Sequence, residues 1–337
     1  MSENSILILK GGEINRILNG RESEVVDQVG MAYRFHGKGD SSCPHSLFLR
    51  FPNSARNRII TLPAYLGGDF QATGMKWVAS FPENLNQGLP RASAVIILNS
   101  SETGRPKIVM EGSIVSAVRT AASAALAGYV LQDGKRTERA GFIGTGLINF
   151  QILRFLRVKF PELSSIAVFD TDVNRSEEFK ARCEQAHENL AVDVVTSASD
   201  LLAYSSLTSI ATSAIEPHIS DLSPCEPKST ILHVSLRDFT PEVILASDNL
   251  VDDLDHVNRE RTSIHLASLK SGNADFVRGS LADILEGAIP ARTDDDRVAI
   301  FSPFGLGVLD MAVAHFVSDF AAKNGIGTVI EDFLALS

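Results

Sequence analysis

Hydrophobic positions change their spacing twice along the chain. Residues 6–9, ILIL, form a short apolar run that predicts a strand. From 13 to 40 the apolar positions take helical spacing and end in the Gly/Asp cluster GKGD. Between 46 and 98 the texture becomes short runs between turn signals: SLFLRF, NRIITLPAYL, ATGMKWVAS and SAVIILN. After the polar turn SSETGRP, KIVMEG adds another strand. The N-terminal part therefore reads as sheet-rich.

Residues 113–131 then predict one long Ala-rich helix. Beyond it, strand and helix alternate. RAGFIGTG (139–146) leads into a helix over 147–160, closed by Pro161. SIAVFD, a helix over 174–187, AVDVVT, a short helix over 198–205 and LTSIATS follow, and later STILHVS, NLVDD and VAIFSPFG. That rhythm predicts a parallel sheet covered by helices, an α/β class. The amphipathic helix over 307–325 is expected to pack back on the first domain. The expected organisation is therefore a discontinuous α+β domain (1–125 and 312–337) and a nucleotide-type domain (126–311). No internal repeat or low-complexity tract interrupts it.

Composition narrows the partners. Hydrophobic residues make up 44% and charged residues 21% of the 337, which is ordinary for a globular chain. The net charge of −10, with both signs interspersed, argues against nucleic acid or an anionic membrane as partner. Cys43, Cys183 and Cys225 are too few and too scattered for a disulfide framework or a zinc site, and fit a reducing cytosol. No secretory leader pattern stands at the N-terminus. The stretch SIVSAVRTAASAALAGYVL carries Arg119 in its middle, so it reads as a packed helix and not a membrane span. The expected setting is cytoplasmic.

The candidate chemistry begins at FIGTGLIN. Gly144 permits a tight turn, and Gly146 lets backbone N–H groups approach a pyrophosphate at the following helix N-terminus. Asp170 ends the next strand, 24 residues after Gly146 (170 − 146), where a carboxylate can accept both ribose hydroxyls and repel a 2′-phosphate. This favours NAD over NADP, although Arg175 stands nearby. Asn149 occupies the place of a third glycine, and an ordinary strand-to-helix turn is the competing explanation.

Four cations stand out in the first domain: Arg50, Lys76, Arg91 and Arg119. Lysine and arginine in apolar settings seldom lack partners. Arg119 could pair with an acid and Lys76 could face solvent. Together beside a nicotinamide site, the four suggest a pocket for carboxylates, with a desolvated lysine moving protons. Asp238, in the loop after ILHVS, sits where α/β sheets place ligands, and a catalytic acid fits there; helix capping near Thr240 would account for it as well. His233 reads as a packed strand histidine, and Asp294–Asp296 as solvated turn chemistry, with no metal expected.

GMKWVASFPEN, LPRASAVIILNSSETGRPKIVMEGSIVSAVRTAASAALA, FIGTGLI and DDDRVAIFSPFGLGVLDMAVAHF together resemble the ornithine cyclodeaminase/mu-crystallin family over nearly the whole chain. The resemblance implies a Rossmann NAD domain beside an α+β domain that binds an amino-acid substrate and builds a homodimer. It implies that Arg50 and Arg119, with Arg91, bind substrate carboxylates, that Lys76 sits by the reacting carbon, and that Asp238 is the catalytic acid/base. Gly144, Thr145, Gly146, Leu147 and Asp170 would hold the adenosine diphosphate half of NAD, with Ser93, Thr120, Thr212 and Ser213 near the rest.

The activity implied most closely is oxidative hydrolysis of N-(2-amino-2-carboxyethyl)-L-glutamate to L-2,3-diaminopropionate, 2-oxoglutarate and NADH, in supply of a siderophore or peptide antibiotic. Cyclodeamination of L-ornithine, an imine reductase or amino-acid dehydrogenase, and a mu-crystallin-like binding protein are the alternatives. The SLRDF loop departs from the Gly-Gly-Asp turn of cyclodeaminases, and the presence of Lys76, Arg119 and Asp238 argues against a mere binding protein.

Overall fold

Two sheets collect the apolar runs. The computed structural model describes residues 4–335. The chain divides into two units at Arg119/Thr120 and again at Gly305/Leu306. These junctions precede the expected ones, at 125 and 311, by six residues each. The first unit contains β1 (Ile6–Leu9), α1 (Gly11–Leu18), α2 (Glu22–Gly37), β2 (Ser41–Ser42), β3 (Leu47–Phe51), β4 (Ser54–Leu66), β5 (Ala72–Ser80), β6 (Ala92–Asn99), β7 (Pro106–Glu111) and the start of α3 (Ser113–Gln132). The helix expected over 13–40 is two helices. Asn19 turns extended (φ −68°, ψ 126°) and Gly20 takes φ +76°, a left-handed conformation that glycine adopts without a Cβ penalty.

The second unit carries β8 (Arg139–Ile143), α4 (Leu147–Lys159), β9 (Ser165–Phe169), α5 (Val173–Ala186), β10 (Ala191–Val194), α6 (Ala198–Leu202), β11 (Leu207–Ile210) and β12 (Thr230–His233). It continues through α7 (Pro241–Leu245), β13 (Asp248–Val251), α8 (Leu254–Val257), α9 (Ser263–Ser271), β14 (Val277–Ser280), α10 (Leu281–Leu285) and β15 (Ala299–Ser302). The chain then returns to the first unit with α11 (Gly307–Asn324) and β16 (Thr328–Ile330).

In the first unit the strands run in the order β16-β1-β7-β6-β5-β4-β2, with β3 also paired to β4. All neighbours are antiparallel except β1 and β7. Cross-strand register defines two faces. Leu62, Lys76, Ile96 and Met110 share one row and are all buried. Leu47, Thr61, Trp77 and Val95 share a row on the opposite face. There Leu47 is 70% exposed and Trp77 and Val95 are 40% exposed.

In the second unit all eight strands are parallel, in the order β10-β9-β8-β11-β12-β15-β13-β14. The central strands β8, β9, β12 and β15 are mostly apolar and buried, as suits a sheet covered on both faces; Ile166, Val168, Ile231, Leu232, Ile300 and Phe301 are buried. Strand order reverses between β8 and β11. In such sheets the carboxyl ends of the strands at this reversal form the ligand crevice. Helix α3 is apolar and long enough to cross a membrane by composition, yet 72% of its most apolar window is buried inside the protein. Its hydrophobicity is that of a core helix.

Candidate active site

The turn between β8 and α4 is built for close approach. Gly144 has φ +88°, and a Cβ there would lie 2.5 Å from the Ala211 carbonyl oxygen. Gly146 is the N-cap of α4, and a Cβ on it would meet nothing within 4 Å, so its outer side is open. No side chain caps α4, and its first turn holds no acid. A 13-residue helix thus presents N–H groups and the positive end of its dipole beside an open glycine. This is a fit for a dinucleotide pyrophosphate. Leu147, the next residue, is 52% exposed.

Asp170 closes the same turn from β9. Its Oδ2 accepts from the Thr145 N–H (3.0 Å) and hydroxyl (2.8 Å), and its Oδ1 accepts from the Asp172 N–H (3.2 Å). Burial pushes this carboxyl up, but the Thr145 and Asp172 hydrogen bonds and the Arg175 charge outweigh it and hold the group below the usual carboxylate range. Asn149 is fully buried. Its amide nitrogen donates to the carbonyls of Ile143 (2.8 Å) and Gly144 (2.6 Å), and its oxygen accepts from the Ser209 hydroxyl (2.7 Å). The residue that breaks the glycine pattern therefore staples α4 to β8 and β11.

A second polar constellation lies at the carboxyl ends of β11 and β12. Asp238 is buried, and it accepts hydrogen bonds from the hydroxyls of Thr212 and Ser235. His233 Nε2 lies 3.1 Å from Asp238 Oδ2, while His233 Nδ1 is 3.1 Å from the Ser302 hydroxyl. Burial opposes ionisation of Asp238. The hydrogen bond and charge of His233, with the Ser235 and Thr212 hydroxyls, prevail and hold its pKa at about 2. Asp238 is thus a permanently ionised acceptor around neutral pH, not an N-cap. Its backbone carbonyl accepts from the N–H groups of His218 (2.9 Å) and Ile219 (2.8 Å), which tie the 214–220 loop to it. Ser213 is exposed beside Thr212.

In the first unit, Lys76 and Arg119 converge on one acid that sequence reasoning missed. Lys76 Nζ donates to Asp310 Oδ2 at 2.7 Å and to the Ser116 hydroxyl at 3.0 Å. Arg119 Nε donates to Asp310 Oδ1 at 3.1 Å. Lys76 is 2%, Arg119 8% and Asp310 0% exposed, so Lys76 does not face solvent. Burial and the neighbouring Arg119 lower the Lys76 pKa and Asp310 raises it; burial dominates, and the value falls to about 8. A signal for Asp310 was present: it is the lone acid in the apolar run GVLDMAVAHF.

The other expected residues scatter more widely. Arg50 is exposed on β3, with its guanidinium 5.1 Å from the Phe48 ring centre. Register places it in the row of Arg58 and Ser80, on the same sheet face as Lys76. Arg91 is exposed just before β6. Ser93 pairs with Ala79 and so lies on the opposite face from Lys76. Thr120 follows Arg119 in α3 and is half-buried. Among the acidic triplet, Asp295 is engaged by Arg297 at 2.9 Å.

Comparison with known proteins places this geometry. The model of the ornithine cyclodeaminase/mu-crystallin family matches residues 18–325. N-((2S)-2-amino-2-carboxyethyl)-L-glutamate dehydrogenase of Staphylococcus aureus is 28% identical over 96% of this chain and 98% of its own. Among solved structures, Delta(1)-pyrroline-2-carboxylate reductase of Thermococcus litoralis, in complex with NADH and L-proline, superposes with a TM-score of 0.88 at 25% identity, covering 96% of this chain and 99% of that one. An archaeal alanine dehydrogenase dimer with bound NAD gives a TM-score of 0.86 at 26% identity, covering 97% and 99%.

Proposed function

The chain belongs to the ornithine cyclodeaminase/mu-crystallin family, and from that premise we propose that it is an NAD-dependent oxidoreductase acting on the C–N bond of a carboxylated amine. The substrate assigned is N-(2-amino-2-carboxyethyl)-L-glutamate, and the products are L-2,3-diaminopropionate and 2-oxoglutarate. The relative from Staphylococcus aureus, aligned nearly end to end, supports that choice. The step would be a cytoplasmic supply reaction for a siderophore or peptide antibiotic.

One observation carries the reading most. Lys76 and Arg119 are buried around a single carboxylate, Asp310. Two cations and one anion leave an excess positive charge, which a substrate carboxylate would neutralise. Arg50, on the same sheet face, and Arg91 are assigned to further carboxylates of the substrate. Ser93, on the other face of the sheet, is kept as a candidate near the cofactor.

NAD+ is the assigned cofactor. The residues that would hold it are Gly144, Thr145, Gly146 and Leu147 at the pyrophosphate, Asp170 at the ribose, and Thr120, Thr212 and Ser213 towards the nicotinamide. Asp170 Oδ1 keeps accepting capacity beyond its one bond to Asp172. When bound, NAD+ accepts a hydride from the amine-bearing carbon. Lys76 and Arg119 fix the adjacent carboxylate and so orient that carbon. A lysine that titrates at about 8 can release and regain a proton near neutral pH at little cost. It serves the amine nitrogen before oxidation and the departing amine afterwards. Asp238, an anion held by Thr212, Ser235 and His233, orients the water that adds to the imine and takes its proton.

The proposal includes a homodimer built on the outer face of the first unit's sheet. The row of Leu47, Thr61, Trp77 and Val95 lies beside the row of Leu49 and Ile59, an exposed apolar patch that a second copy would cover. The dimeric alanine dehydrogenase supports this.

The test is to mix the protein with NAD+ and the named amine, and to follow NADH and 2-oxoglutarate together. Equal, sustained formation of both is expected. Conversion of L-ornithine to proline without NADH accumulation would replace the reading with cyclodeamination.

A further inference from the structure

The proposed reaction has a proton balance that buried Asp238 does not meet alone. The protonated secondary amine, NAD+ and water become ketone, primary ammonium, NADH and one free proton. The C–H bond breaks with its electron pair going to the nicotinamide. The C–N bond breaks with its pair going to the leaving amine, and water supplies the ketone oxygen. One proton per turnover must therefore reach bulk water, yet Asp238 is 0% exposed. Its hydroxyl partners Thr212 and Ser235 are part-buried, and His233 is buried against Ser302.

The remaining neighbour differs. His218 Nε2 lies 3.9 Å from Asp238 Oδ1, and its side chain is 46% exposed. Two backbone hydrogen bonds, from His218 and Ile219 N–H to the Asp238 carbonyl, hold the two segments together, and Ile219 bridges to Phe239. The imidazole therefore stands between the buried carboxylate, 3.9 Å away, and the surface, with nearly half of its side chain exposed. A small rotation closes 3.9 Å to a hydrogen bond. Imidazole is the side chain whose ordinary titration range suits proton relay near neutral pH.

We propose that His218 is the proton exit of this site, a positioning residue that passes the proton from Asp238 to solvent. The inference rests on the oxidoreductase reading above, but not on its direction: imine reduction would draw one proton inward by the same route. Cyclodeamination of ornithine releases no net proton and would place no such demand on it.

The test compares wild type with His218→Ala in dilute buffer, recording NADH by absorbance and proton release with a pH indicator. In wild type the two should rise together. In His218→Ala the turnover number should fall at least tenfold with KM for NAD+ nearly unchanged, and added imidazole should restore it. Wild-type turnover in the variant would overturn the proposal, and so would a loss that imidazole leaves unrepaired while KM rises. A second measurement stands apart from any substrate. The His218 ring resonances, recorded by NMR without substrate, should move in Asp238→Asn relative to wild type, because the two groups are 3.9 Å apart. Unmoved resonances would break the coupling whatever amine the enzyme uses. Failure of the amine reaction in wild type itself is read separately, as absence of NADH.

Discussion

Replacing Asp310 by Asn should destabilise the first unit in a manner that depends on pH, with the larger loss at low pH. Asp310 is the shared partner of Lys76 (2.7 Å) and Arg119 (3.1 Å), and all three are buried. Breaking a buried pair by removing one partner typically costs about 3–5 kcal/mol, because a charge is left uncompensated. Arg119 has no means of escape, since a guanidinium does not deprotonate in this range. Lys76 does. Its pKa is already lowered from 10.5 to about 8, so shedding the proton costs about 1.4 kcal/mol at pH 7, about 3 kcal/mol at pH 6 and almost nothing at pH 9. The Lys76 share of the loss is capped by those values.

The sign follows from linkage. Between about 8 and 10.5 the unfolded chain keeps a proton that folded Lys76 has lost. Wild-type stability therefore rises with pH across that window. Without Asp310 the folded pKa drops further and the rise begins at lower pH, so the gap between variant and wild type narrows from pH 6 to pH 9. The narrowing is at most about 3 kcal/mol. Trp77 makes the measurement clean. It is the chain's single tryptophan, next to Lys76 in β5, so its fluorescence during urea unfolding reports the first unit even if the two units unfold separately. An equal loss at pH 6 and pH 9, or a larger loss at pH 9, would refute the reasoning.

Asp238→Asn should fold and bind NAD+ yet lose turnover by roughly 10²–10⁴; near-wild-type turnover removes Asp238 from the mechanism. Because Asp238 titrates at about 2, no acid limb of the rate profile above pH 4 should belong to it, and a limb there that vanishes in the Asn variant would contradict this. Gly144→Ala combines φ +88° with a Cβ 2.5 Å from a carbonyl oxygen; strain of about 1–3 kcal/mol should distort the turn and weaken NADH binding at least tenfold by fluorescence titration, and an unchanged Kd would count against the pyrophosphate assignment. Trp77→Glu with Leu47→Glu should yield a folded monomer by light scattering, whereas a persisting dimer would move the interface elsewhere.

Much of this molecule was legible in the chain because its signals are local. The short runs of β3 to β7, set between turn signals, and the apolar runs that follow from β8 mark strands locally. Gly144 and Gly146, between an apolar run and a helix with Asp170 beyond, carry their turn in the sequence, because backbone sterics and helix ends act over a few residues. What escaped was short or long-range. The four-residue α8 and β14 offer too few positions to show a period, and β16 pairs with β1 only after the chain has crossed the whole second unit. Asn149 stood in view as a broken pattern. Only the packed turn decided that it would bridge two carbonyls and Ser209. Lys76 and Arg119 were conspicuous as cations in apolar settings, which requires a partner somewhere. That the partner is Asp310, 234 residues from Lys76, that Lys76 turns inward, and that Asp238 is held ionised by His233 all depend on burial and distance. Sequence sets the chemical inventory and the local periods; desolvation and the meeting of distant side chains, which decide the charge states, exist only once the chain has folded.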